Sequence, residues 1–133
     1  MEQSSNYVRD VVFRAFAEAL STPCRIEPLK DGILRLVEQD GTPTFAAVAR
    51  LPGGSGKSAL VVTGANVTLF FGLSWDAISA ITELQIDGLV RIEPTAPLVY
   101  ALEGIWPSLP LAEPGRTYAS EHWLPTVLVA GPA

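Results

Sequence analysis

A glycine-rich run that ends in an amine and a hydroxyl is a composition able to cradle phosphate, and Gly53-Gly54-Ser55-Gly56-Lys57-Ser58 has it. Backbone N–H groups left open by glycine can face phosphate oxygens, while an ammonium neutralises their charge. That chemistry also needs a glycine five positions before Gly56 and a helix directly after the Lys-Ser pair. Leu51 occupies the first place, and Ala59-Leu60-Val61-Val62-Thr63 reads as a strand. Gly56, Lys57 and Ser58 are therefore weak candidates for cofactor binding. A glycine-rich hairpin is the plainer reading, and no cofactor is expected.

The run resembles the end of a nucleotide-binding P-loop and departs from it at both the leading glycine and the following element. Other reactive side chains are sparse. His122 is the only histidine, with Glu121 beside it and Tyr118 four positions back. Alone and next to Trp123, it fits a structural or surface role better than that of a general base. Cys24 is the only cysteine and has no histidine at ligand spacing, which removes both an internal disulfide and a zinc site. A Cys24–His122 nucleophilic pair has no sequence signature behind it. Ser79, Ser108 and Ser120 lack a nucleophile-elbow context. Glu27, Glu38, Glu93 and Glu103 fall on expected strands or strand ends, where paired carboxylates look the same as a solvated face. No catalytic residue and no metal ligand is assigned, and the chain is expected not to be an enzyme.

The balance of the chain is more informative than its motifs. Among 133 residues the net charge is −5 and only 17% are charged, with 48% hydrophobic. Small soluble domains usually carry about 25–35% charge on their surfaces. An apolar surplus with no run long enough to span a membrane favours surface buried against a second chain over the plainer reading, a large core with an alanine-rich composition. Arg9, Arg14, Arg25, Arg35, Arg50, Arg91 and Arg116 are scattered rather than clustered. Nucleic acid is accordingly disfavoured, because that affinity is mainly electrostatic. No basic cluster followed by an apolar core opens the chain, so a cytoplasmic location is the default.

The elements that must position these residues are clearest from Val67 to Pro94. Val67–Phe71 is β-branched and aromatic, and Gly72 ends it. Ser74 stands as a helix N-cap, Asp76 follows in the first turn, and Trp75, Ala77, Ile78, Ile81 and Leu84 form an apolar stripe. Gly88 suits a left-handed C-terminal cap, and Leu89 to Ile92 resumes as a strand that stops at Pro94. Earlier, Met1–Ser5 is a polar lead. Val8, Val12, Ala15, Phe16, Ala19 and Leu20 predict a helix over Asn6–Ser21 that ends at Thr22-Pro23. Residues 24–71 read as strands and turns, with turns at Lys30-Asp31-Gly32 and Asp40-Gly41. Leu89–Glu93 and Leu98–Leu102 predict a second hairpin. From residue 103 to 133 prolines break any long element. Ile105, Trp106, Leu109, Leu111 and Trp123 make this stretch an ordered arm packed on the domain or on a partner. Thr126–Ala130 is a candidate last strand.

Two partial resemblances follow. Ser74 to Pro94 looks like the recognition helix and following strand of winged-helix regulators. A strand precedes it, however, where they have a helix, and its exposed face lacks arginine and lysine. The element order over residues 7–102 is similar to that of the small acidic dimers that serve as type III secretion chaperones, without a shared residue motif.

The expectation is one α+β domain over residues 1–133. It would have a mainly antiparallel sheet of about 5–7 strands, with the N-terminal and central helices on one face, in the order α-β(3–5)-α-β-β plus the arm. Its function would be a non-enzymatic protein–protein interaction module, a small acidic homodimer of adaptor, chaperone or regulatory type, with itself or another protein as partner. The alternatives are a small-molecule or nucleotide binder using the Gly53–Ser58 loop and a winged-helix-like DNA binder. Trp75, Ile78, Phe70, Trp106 and Trp123 are the interface candidates.

Overall fold

The computed structural model describes residues 23–131, with side chains from Ile26 onward. The expected Asn6–Ser21 helix and the side chain of Cys24 lie outside the described residues. Within them the chain is mixed α+β, and its five strands form two small sheets. The elements are α1 (Pro23–Asp40), α2 (Phe45–Ala49), β1 (Ser55–Val62), β2 (Val67–Leu73), α3 (Trp75–Ile86), β3 (Val90–Pro94), α4 (Pro97–Ala101), β4 (His122–Trp123) and β5 (Thr126–Ala130).

The first difference from the sequence reading is α1, which occupies residues expected to form strands and turns. Ile26, Leu29, Ile33 and Val37 are spaced by three and four positions and all four are buried. That spacing puts them on one helical face. Pro28 and Gly32 break the signal but not the helix. Pro28 sits inside α1 on its exposed side. Gly32 faces the Leu51 side chain, since a Cβ there would stand 3.1 Å from a Leu51 methyl. Asp40-Gly41 is the end of α1 rather than a hairpin, with Gly41 at φ 87° donating to the Val37 carbonyl. Thr44–Leu51 likewise contains the short helix α2, capped by the Thr44 hydroxyl accepting from the Ala47 N–H.

The central stretch follows its sequence. The Ser74 hydroxyl caps α3 by accepting from the Ala77 N–H at 3.0 Å. Gly88, at φ 75°, closes the helix, with the Gly88 N–H on the Gln85 carbonyl and the Leu89 N–H on the Leu84 carbonyl. This paired arrangement satisfies carbonyls that would otherwise be left open at the helix end. The helix α1 packs alongside α3, and Lys30 Nζ bridges to Glu83 at 3.0 Å. The hydrogen bond to Glu83 raises the Lys30 pKa.

The strand β2 pairs antiparallel with β1 and parallel with β4, giving the order β1-β2-β4. The second sheet pairs β3 with β5 antiparallel, from Val90 opposite Ala130 to Pro94 opposite Thr126. The predicted Leu89–Leu102 hairpin is therefore replaced. Pro97 starts the helix α4, where its missing N–H costs nothing, and β3 finds its partner far along the chain. The arm contributes two of the five strands, β4 and β5.

Candidate functional site

A cavity of about 400 Å³ opens on the three-stranded sheet. Thr68 and Phe70 of β2 and Trp123 of β4 line one side. All three are buried. Ile105, Pro107 and Leu109, from the irregular segment after α4, line another. Ala59 of β1 and the 68% exposed Phe71 complete the apolar lining. Among the described residues, the only ionisable side chain in the lining is Glu121, whose carboxylate accepts from the Thr68 hydroxyl at 2.8 Å. Cavities of roughly 300–1,000 Å³ with an apolar lining and few polar groups are typical small-molecule sites.

The aromatic residues behind the cavity form a continuous series. Phe45 lies 6.3 Å from Phe70, Phe70 is 6.1 Å from Tyr100, and Tyr100 is 5.7 Å from Trp123 between ring centres. Trp106 then packs edge-on to Trp123 at 6.1 Å. Edge-on and tilted pairs at these separations suit the ring quadrupoles. Tyr100 is fully buried. Its hydroxyl donates to the Thr126 carbonyl at 2.6 Å and accepts from the Phe45 N–H at 3.0 Å. Burial is the main cause of its pKa lying well above the ordinary tyrosine value. The series fixes β4 and the 105–109 segment relative to β2, and so fixes the cavity.

The glycine run is spent on packing. Gly53 has φ 77°. A Cβ at Gly54 would stand 2.2 Å from the Val48 carbonyl oxygen, and one at Gly56 would stand 2.7 Å from the Ser74 Cα. The Gly53 carbonyl accepts from the Ser74 hydroxyl, and the Gly54 carbonyl from the Ser74 N–H. Gly56, Lys57 and Ser58 lie on β1, so no helix follows the Lys-Ser pair. The loop docks on the cap of α3 and takes no part in the cavity lining.

His122 lies on β4 but stacks on Tyr118 at 3.7 Å between ring centres, with its Nδ1 on the Ser120 carbonyl at 2.8 Å. A carbonyl can only accept, so Nδ1 carries the proton. Glu27 and Glu38 lie on α1 rather than on strands. Among the described residues, no group of three or more histidine, cysteine, aspartate or glutamate side chains is arranged to hold a metal ion.

Of the interface candidates, Ile78, Phe70 and Trp123 are buried within this chain, while Trp75 and Trp106 are 46% and 61% exposed. Phe70 and Trp123 come together at the cavity, with Trp106 edge-on to Trp123. Trp75 stands apart from the cavity lining, at the start of α3. Sequence reasoning passed over Thr68 and noted Glu121 only as a neighbour of His122. The available signal was a lone threonine in the apolar run Val67–Phe71 and a lone carboxylate just before Trp123. No helix among the described residues is long and apolar enough to cross a membrane. No protein-family model matches the chain, and no curated protein or solved structure does either.

Proposed function

We propose that this protein is a non-enzymatic interaction module, an acidic homodimer of adaptor or chaperone type working in the cytoplasm. The observation that carries this reading is the exposure of large apolar side chains within one short stretch. Leu98 and Leu102 are 62% and 79% exposed, and Trp106 follows at 61%. Leu98 and Leu102 are one helical turn apart, so they leave the same side of α4 and its cap. Covering such side chains gains roughly 25 cal/mol per Å² of apolar area, offset by the entropy of association. A second copy supplies a matching surface by symmetry, which is the commonest way small chains cover apolar residues. The low charge content of the whole chain favours the same conclusion.

Light scattering on a size-exclusion column, over a range of loading concentrations, tests it. The expected result is a dimer that dissociates on dilution. The Leu98→Ser and Leu102→Ser variants should shift it toward monomer while keeping the far-UV circular dichroism of the chain. Trp106→Ala should do so at some cost in stability, because Trp106 also packs on Trp123. A clean monomer at every concentration would remove self-association from the reading.

A further inference from the structure

We propose that the cavity between β2, β4 and the 105–109 segment binds a small organic cation, its apolar body inside and its protonated amine on Glu121. This goes beyond the interaction reading and does not depend on it, because the cavity is formed within a single chain.

The apolar half of the argument is the lining. Phe70, Phe71 and Trp123 offer aromatic surface, while Ile105, Pro107 and Leu109 offer aliphatic surface. A volume of about 400 Å³ is large enough for a ring with a short chain. The floor is held rigidly, since Trp123 is edge-on to both Tyr100 and Trp106. A pre-formed site of this kind avoids the entropy of ordering its walls on binding.

The polar half fixes the sign of the charge. Glu121 accepts the Thr68 hydroxyl on Oε2, which holds the carboxylate at the cavity, and the ligand's amine would bond to Oε1. Among the described residues, no lysine, arginine or histidine lines the cavity. An anionic ligand would therefore meet only a like charge, whereas an ammonium group would make a charge-assisted hydrogen bond. The aromatic faces add to that preference, because ring quadrupoles attract cations. The net charge of −5 acts in the same direction at longer range.

The test uses three probes that differ only in the head group: 4-phenylbutylamine, 4-phenylbutanol and 4-phenylbutyrate. Trp123 and its neighbour Trp106 report binding through intrinsic fluorescence, and calorimetry gives the affinities. The amine should bind about tenfold more tightly than the alcohol, and the carboxylate should bind most weakly. Glu121→Gln keeps an acceptor for Thr68 but removes the charge, so it should erase the amine's advantage and leave the alcohol unchanged. Ala59→Leu should weaken the amine and the alcohol together by filling the cavity, and Ile105→Trp is the second filling variant should the first unfold. No saturable binding of the amine, equal affinity for amine and carboxylate, or an amine preference that survives Glu121→Gln would each overturn the proposal. Loss of binding in Glu121→Gln alone, with both filling variants folded and binding normally, would overturn it as well, since the ligand would then lie outside the cavity.

Discussion

Tyr100 uses one oxygen to satisfy two backbone groups that are far apart in the chain, the Phe45 N–H and the Thr126 carbonyl. Replacing it by phenylalanine keeps the ring contacts and leaves both groups buried without their partner. The expected cost is about 1–3 kcal/mol, measured by urea unfolding at neutral pH. The same hydroxyl carries a pH dependence. Its pKa is raised in the folded chain, chiefly by burial, whereas in the unfolded chain it ionises near the ordinary value of about 10. The stability it contributes is therefore complete below about pH 10 and is lost as pH rises toward the folded-state pKa. The wild-type chain should lose stability more steeply above pH 10 than Tyr100→Phe does, and equal slopes would show that Tyr100 is not the group responsible.

The junction of the glycine loop with α3 is where local rules and packing meet. Ser74→Ala removes both the helix cap and the bond to the Gly53 carbonyl, and should cost about 0.5–2 kcal/mol by chemical denaturation. Gly54→Ala forces a methyl group against the Val48 carbonyl, where backbone rather than a flexible side chain must move. It should cost about 1–3 kcal/mol or more, with a lowered melting temperature as the readout. Lys57→Ala should leave stability within about 0.5 kcal/mol, since Lys57 is exposed on β1. The α3 region was legible in the amino-acid sequence because Ser74, Gly88 and Pro94 each mark a boundary by a local mechanism. The helix α1 was not, although Ile26, Leu29, Ile33 and Val37 carry its period. Pro28, Gly32 and the β-branched residues argued locally for strands, and packing against α3 outweighs those preferences. The cavity was illegible for another reason. Ala59, Thr68, Ile105 and Glu121 belong to separate segments, and only the fold makes them neighbours.

Taken whole, the chain carries a net charge of −5 at neutral pH and reaches zero near pH 4.7. Two copies repel at pH 7, and the repulsion fades as carboxylates protonate. The dimer proposed above should thus tighten as pH falls from 7 toward 5, with light scattering at matched concentration as the measure. An association that weakens over this range would point to an interface held by specific carboxylates instead of apolar cover. Added salt at pH 7 should act in the same direction as acid, because it screens the same repulsion. The net negative charge of the chain and its exposed apolar side chains therefore oppose one another in setting the affinity.

The pairing of β3 with β5 has a consequence in time. On a ribosome adding about 5–20 residues per second, Thr126 follows Pro94 by roughly 2–6 s. Until β5 emerges, β3 has no strand partner, and the Tyr100 hydroxyl, once made, has no acceptor from β5. Trp123, the floor of the cavity, also arrives late, so the cavity beside Phe70 lacks that wall until then. The nascent chain is therefore most vulnerable to misassociation after its central helix is complete and before its last strand has emerged.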